Sequence, residues 1–268
     1  MRALLLAAGL GTRLRPLTNV LPKCLAPIRG RPLLEYWLEI LFSADVERVV
    51  INVHHHADLV EEYIRATQWR DRIVCVHETE LLGTGGTILR QAENFGDRPF
   101  LVAHADNLSV FDCGRFFRRH AERPPGCAMT MMTFSTPFPE TCGIVALDGA
   151  GVVREFHEKV GNPPGNLANA AVYILEQEVV VFLRGLNKSF IDFSTEVIPR
   201  FVGRIFTFHN PAYHEDIGTL DRWRRAQQEY SGPALSAEQG EAWTRLLRRN
   251  PEIGKTVEEL LAGPGDSV

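Results

Sequence analysis

Short apolar runs separated by stretches of helical periodicity set the plan of this chain. Residues 2–7, 49–53, 73–76 and 100–103 are nearly continuous runs of apolar side chains, the pattern of strands buried on both faces. Between them, 33–44, 57–67 and 86–94 carry apolar residues at helical spacing, and Leu33, Leu34, Trp37, Leu38 and Leu41 mark the core-facing stripe of the first. Such alternation predicts β-α-β units and a three-layer, Rossmann-like α/β fold around a mostly parallel twisted sheet. Right-handed crossovers then bring the loops after successive strands to one rim, where open α/β sheets bind ligands. Residues 9–15 and 78–86 and Asp106 fall on that rim.

From about residue 127 the texture changes. Segments 128–134, 143–147, 152–156 and 170–175 read as strands joined by turns such as Asp148-Gly149-Ala150-Gly151. They are expected to complete the sheet as mixed or antiparallel strands and to enclose a second ligand pocket. Helices are expected at 192–202, 219–230 and 236–249, and the end around Gly263-Pro264-Gly265-Asp266 is expected to fray. This divides the chain into a domain over 1–230 and a helical extension over 231–268.

Composition narrows the function. Of 268 residues, 45% are hydrophobic and 23% charged, which excludes disordered, collagen-like and coiled-coil classes. A net charge of -4 supplies no general attraction to nucleic acid or anionic lipid, so a bound phosphate must be held locally. Five scattered cysteines without a C-x-x-C pair argue against a disulfide framework and a zinc site, and point to a reducing cytoplasm. No apolar run approaches the roughly 18 residues that span a bilayer.

The strongest chemical signal is Ala8-Gly9-Leu10-Gly11-Thr12-Arg13-Leu14-Arg15-Pro16-Leu17-Thr18, followed by Pro22-Lys23. Glycines at 9 and 11 let backbone N–H groups approach phosphate oxygens, and Arg13 and Lys23 supply charge where phosphates crowd. Taken alone, the glycine pair is also what a tight strand-to-helix turn needs. A Walker A loop would close on Gly-Lys-Ser/Thr, and a dinucleotide fingerprint would put glycine or alanine where Leu14 stands. Leu14 and the loop's basic residues therefore disfavour a nicotinamide-dependent oxidoreductase.

Gly9-x-Gly11-Thr12-Arg13-Leu14-x-Pro16-Leu17-Thr18 with Pro22-Lys23-x-Leu25 and Pro32-Leu33-Leu34 resembles the signature of sugar nucleotidyltransferases. That family includes mannose-, heptose-, glucose- and N-acetylmuramate-1-phosphate nucleotidylyltransferases. The resemblance continues through Leu82-Gly83-Thr84-Gly85-Gly86, Asp106-Asn107, Glu158-Lys159, Asn169-Ala170 and Asp216-Ile217-Gly218-Thr219, covering roughly 1–230. It implies the nucleotide-diphospho-sugar transferase fold and transfer of a nucleotidyl group from a nucleoside triphosphate to a sugar 1-phosphate, with Mg2+. It further implies that Ala8, Gly9, Gly11, Thr12 and Arg13 wrap the triphosphate, and that Arg13, Lys23 and Asp106 are catalytic. Gly83 would let the base lie close to the backbone, with Glu80 and Thr84 as further base contacts. Asp106 and Asp216 would hold the metal, and Gly143, Glu158, Lys159 and Asn169 the sugar phosphate. GTP leads as donor and UTP follows; a homo-oligomer is allowed, and neither nucleic acid nor membrane is an expected partner.

The residue types make chemical sense without the family. A sugar phosphate oxygen is already anionic and needs no general base, so the task is to bring two anions together and offset charge on the α-phosphate. A hard Mg2+ favours two carboxylates plus phosphate oxygens and water. A catalytically silent regulatory relative would be expected to lack Arg13, Lys23 or Asp106, and all three are present. Each residue also has a plainer reading: Asp106 and Asp216 as helix or turn caps, Glu158-Lys159 as a solvated strand end. His54-His55-His56 is better read as a strand end entering a helix than as zinc ligands. Arg115, Arg118, Arg119 and Arg123 read as a solvated helix face. His104-Ala105 stands where the family commonly ends a pair in glycine, which bears on metal geometry and nucleotide preference.

Overall fold

The computed structural model describes residues 1–230, 232 and 240–262. The expected start of the tail helix at 236–239 and the terminal 263–266 lie outside the described residues. Thirteen strands are described. They are β1 (Arg2–Leu6), β2 (Pro27–Ile28), β3 (Arg31–Pro32), β4 (Arg48–Val53), β5 (Ile73–His77), β6 (Phe100–His104) and β7 (Asn107–Val110), then β8 (Met129–Ser135), β9 (Gly143–Leu147), β10 (Val153–Glu158), β11 (Leu167–Leu175), β12 (Ile205–His209) and β13 (Tyr213–Asp216). The α-helices are α1 (Leu33–Ser43), α2 (Ala57–Ala66), α3 (Gly83–Gln91), α4 (Cys113–Ala121), α5 (Gln177–Gly185), α6 (Ile198–Phe201), α7 (Leu220–Glu229), α8 (Glu241–Arg249) and α9 (Pro251–Ala262).

Among the described residues, nine strands form one sheet in the order β10-β9-β11-β6-β1-β4-β5, with β8 leaving it through β11 and β12 pairing β8. β6, β1, β4 and β5 are parallel neighbours. β11 runs against β6, β8 and β9, β10 runs against β9, and β12 lies parallel to β8. Only β10 and β11 therefore oppose the common direction, and the sheet is mostly parallel as expected. The second half supplies the mixed strands.

Period-two alternation in β1 divides the core. Ala3, Leu5 and Ala7 join Val49, Ile51, Leu101 and Ala103 on one face, under α1, α2 and α7. Leu4 and Leu6 join Val50, Phe100 and Val102 on the other, under α3, α5 and α6. Residues 3–6, 49–53 and 100–103 are thus buried on one side or the other, which is why these runs are continuously apolar, while β5 at the sheet edge is half-buried. The stripe Leu33, Leu34, Trp37, Leu38 and Leu41 is buried. Ala242, Trp243, Leu246 and Ile253 of the tail enter the same cluster, and Arg249 pairs with Glu62 at 2.8 Å. Helix α8 therefore packs on α2, and α9 against the turn Leu17–Asn19.

One feature absent from the sequence reading organises the site: β7 and β13 form a separate antiparallel ribbon with Asp216 opposite Asn107. Trp37 anchors it by donating its indole N–H to the Asn107 carbonyl at 2.8 Å. His54 and His55 hydrogen-bond the carbonyls of Glu78 and Thr18, and His56 enters α2 in the left-handed conformation. On α4, Arg119 stacks over Phe206, and Arg118 lies 3.8 Å from Asp112.

Candidate active site

The end of β1 runs straight into the glycine loop. Asn52 on β4 accepts the Ala7 amide at 2.8 Å, and the Ala105 amide bonds the Leu6 carbonyl, so three neighbouring strands fix where the loop begins. A β-carbon at Gly9 would meet nothing within 4 Å, whereas one at Gly11 would stand 2.8 Å from the Thr18 methyl and 3.3 Å from Lys23 Cβ. Gly9 therefore opens on free space. Gly11, with φ of 62°, is required by the turn itself, which the Thr18 hydroxyl closes by donating to the Gly11 carbonyl at 2.8 Å. Thr12 and Arg13 are exposed on the following 3₁₀ turn.

Lys23 is buried and stands at the centre of a charge cluster. Its Nζ lies 2.7 Å from Asp106 Oδ2 and 3.0 Å from Asp216 Oδ1. Burial alone would lower the lysine, but the two carboxylates outweigh it and raise its pKa. Burial would correspondingly raise Asp106; Lys23, then His104 and the hydrogen bonds, hold it below the usual carboxylate value. His104 is pulled down by burial, with Asp106 opposing. His214, on the same ribbon as Asp216, shares a 2.6 Å hydrogen bond with Ser109 and is pulled down to about 4 by burial. Arg13 reaches the same centre from the loop: a β-carbon at Gly218 would stand 3.3 Å from its Nη2 and 2.9 Å from Asp216 Oδ2.

Beside this cluster lies a cavity of about 260 Å³ lined by Ala8, Gly9, Gly83, Thr84, His104 and Asp106, together with Asn52, Glu78, Thr87, Leu81 and Phe190. It gathers five of the expected nucleotide and metal residues. Glu80 is not among them; it is exposed and faces an adjoining hollow. Glu78, rather than Glu80, lines the cavity. It is 6% exposed, the Thr87 hydroxyl donates to its Oε2 at 3.2 Å, and its Oε1 is buried without a hydrogen-bond partner. Sequence reasoning put Glu78 on the rim but gave it no role, because nothing local distinguishes it from Glu80. Gly83 also has a structural reason to be glycine: a β-carbon there would lie 2.5 Å from the Ile191 carbonyl oxygen. The Thr84 hydroxyl accepts the Phe193 amide at 3.0 Å.

The expected sugar residues gather on β9, β10 and β11. Gly143 and Glu158 face each other in register, and a β-carbon on Gly143 would come within 2.6 Å of Glu158 Oε2. Lys159 Nζ lies 3.3 Å from Glu158 Oε1. Asn169 donates to the Tyr173 hydroxyl at 2.7 Å and accepts the Ala171 amide at 2.9 Å, holding the register break in β11 between Asn169 and Tyr173. Burial pushes the Tyr173 hydroxyl up, the Asn169 hydrogen bond opposes this, and the carboxylates of Glu158 and Asp192 add to the rise. Arg222 was missed by sequence reading. It reaches from α7 to within 4.0 Å of Asp216 Oδ2 and donates to the Thr141 hydroxyl at 3.2 Å, linking the charge cluster to the turn before Gly143.

The family model for nucleotidyl transferases matches residues 2–232, and the chain belongs to that family. It is 38% identical over 161 residues to the N-acetylmuramate alpha-1-phosphate uridylyltransferase of Caulobacter vibrioides, covering 57% of this chain and 66% of that one. It is 30% identical over 225 residues to the mannose-1-phosphate guanylyltransferase catalytic subunit beta of Danio rerio, covering 81% of this chain and 61% of that one. The chain thus spans roughly half to two thirds of the length of the curated relatives it matches. A Bacillus anthracis protein crystallised with sucrose shares the fold, with a TM-score of 0.81 at 18% identity over 89% of this chain and 98% of that one. No helix among the described residues is long and apolar enough to cross a membrane.

Proposed function

We propose that this chain catalyses transfer of a nucleotidyl group from a nucleoside triphosphate to a sugar 1-phosphate, releasing pyrophosphate, with GTP as preferred donor. The observation that carries the reading is the Lys23 ammonium held between Asp106 and Asp216 beside a cavity that the glycine loop borders. A phosphate oxygen of the sugar phosphate attacks the α-phosphorus in line; the bond from the α-phosphorus to the bridging oxygen breaks and pyrophosphate leaves with the electron pair. No proton moves. Lys23 and Arg13 offset the charge that builds on the phosphates, the loop amides from Ala8 to Thr12 orient them, and Glu158, Lys159, Gly143 and Asn169 hold the acceptor.

The donor set fits Mg2+. Asp106 and Asp216 offer hard oxygens, and among the described residues no group of three or more His, Cys, Asp or Glu side chains is arranged to hold an ion. Phosphate oxygens and water would complete its shell. When bound, Mg2+ would supply Lewis-acid stabilisation of phosphate charge.

Glu78 supports guanine. Glu78 lines the cavity with its Oε1 buried and unpartnered, and a carboxylate can accept both the N1–H and the 2-amino group of guanine. Uracil offers one N–H flanked by two carbonyls that repel a carboxylate. Uridylyl transfer is the second reading, favoured by the identity to the Caulobacter vibrioides enzyme. A matrix of nucleoside triphosphates against sugar 1-phosphates with Mg2+, read by pyrophosphate release, tests both. Guanylyl transfer to mannose or heptose 1-phosphate is expected, with turnover abolished by Asp106→Ala. Silence across the whole matrix would remove the assignment.

A further inference from the structure

Three glycines in Leu82-Gly83-Thr84-Gly85-Gly86 answer to one neighbour. β-Carbons at 83, 85 and 86 would lie 2.5 Å from the Ile191 carbonyl oxygen, 2.6 Å from Ile191 Cγ2 and 2.3 Å from the Ser189 carbonyl oxygen. The bare backbone allows segment 189–191 to lie directly on the first turn of α3. There the Ile191 carbonyl accepts the Gly85 amide at 2.9 Å, and the Ile191 amide donates to the Leu82 carbonyl at 3.0 Å. Ile191 and Phe193 are buried. Between the contacts at 189 and 191, Phe190 is 58% exposed. It lines the 260 Å³ cavity with Leu81, itself 41% exposed, and its Cε2 lies 3.3 Å from where a Gly83 β-carbon would be.

A large aromatic ring left in water beside a pocket, on backbone pinned at both sides, is an apolar face without a partner. From this geometry we infer that Phe190 is the stacking platform for the nucleotide's base, a binding residue that the glycine motif presents. Glu78 reads the edge of the heterocycle and Phe190 covers its face. A flat ring on a fixed backbone loses little freedom on stacking, and every base has a π-face. This rests on the cavity being the nucleotide site.

Calorimetric titration of the full chain with GTP and, separately, with inorganic tripolyphosphate tests it, both with Mg2+. Phe190→Ala is expected to weaken GTP about ten-fold, the scale of losing one aromatic–base stack, and to leave tripolyphosphate affinity unchanged. Phe190→Trp is expected to keep GTP affinity and to show a change in indole fluorescence on binding GTP but none with tripolyphosphate. Because the side chain is exposed, both variants are expected to fold, as checked by their melting temperatures. GTP affinity in Phe190→Ala equal to that of the unaltered chain, or equal losses for both ligands, would overturn the stacking role. An unaltered chain that binds tripolyphosphate but not GTP would overturn the nucleotide reading and the stacking role together.

Discussion

Replacing Lys23 with glutamine isolates the electrostatics of the site. Both Asp106 Oδ2 and Asp216 Oδ1 lie within 3.0 Å of the ammonium, so the two oxygens are at most about 6 Å apart. Without the cation, two unit charges at that separation repel by roughly 3 kcal/mol at an effective dielectric of 20. Asp216 is 41% exposed, and solvent screening reduces the figure to about 1–2 kcal/mol. For a chain of this size that corresponds to a melting point lower by roughly 2–8 °C. The variant is then expected to recover in millimolar Mg2+ without nucleotide, since an ion that binds only the folded state adds about 2.7 kcal/mol at a hundred times its Kd. The unaltered chain, with lysine already between the carboxylates, is expected to respond much less. Thermal unfolding of both proteins in EDTA and in Mg2+ measures this directly. Identical melting points in EDTA, or identical responses to Mg2+, would refute the argument.

Two further outcomes follow from buried groups away from the site. Burial pushes the Glu35 carboxyl up to about 7 against the attraction of Arg31. A raised acid holds more protons folded than unfolded, so stability is full below about 4.5 and falls as pH rises towards 7. Glu35→Gln should flatten that slope and gain up to about 3 kcal/mol at pH 8; urea midpoints across pH check it, and an unchanged slope contradicts the assignment. Trp243 is 4% exposed within the main core, so Trp243→Ala should cost about 3–5 kcal/mol. A denaturation midpoint unmoved by that change would mean the tail contributes nothing to the folded domain.

The apolar runs 2–7, 49–53 and 100–103 were enough to define buried parallel strands, because a strand covered on both faces has no polar side to display; 73–76, alike in sequence, forms the half-buried edge strand instead. Right-handed crossovers then fixed which loops share a rim, so Gly9, Asp106 and the 78–86 segment could be grouped before any coordinates. What pairs across long separations was not legible. Lys23 meets Asp106 and Asp216 across 83 and 193 positions, and the β7–β13 ribbon that aligns them has strands of four residues each, too short to carry a periodic signal. The same limit hid Glu78 behind Glu80, since only the cavity wall separates a lining carboxylate from a solvated one. It also hid the reason for the glycines at 83, 85 and 86, which lies in a segment a hundred positions away. Local pattern decides whether a stretch becomes strand or helix; which side chains then face one another depends on how those elements bury their apolar faces together, and that is a property of the assembled chain.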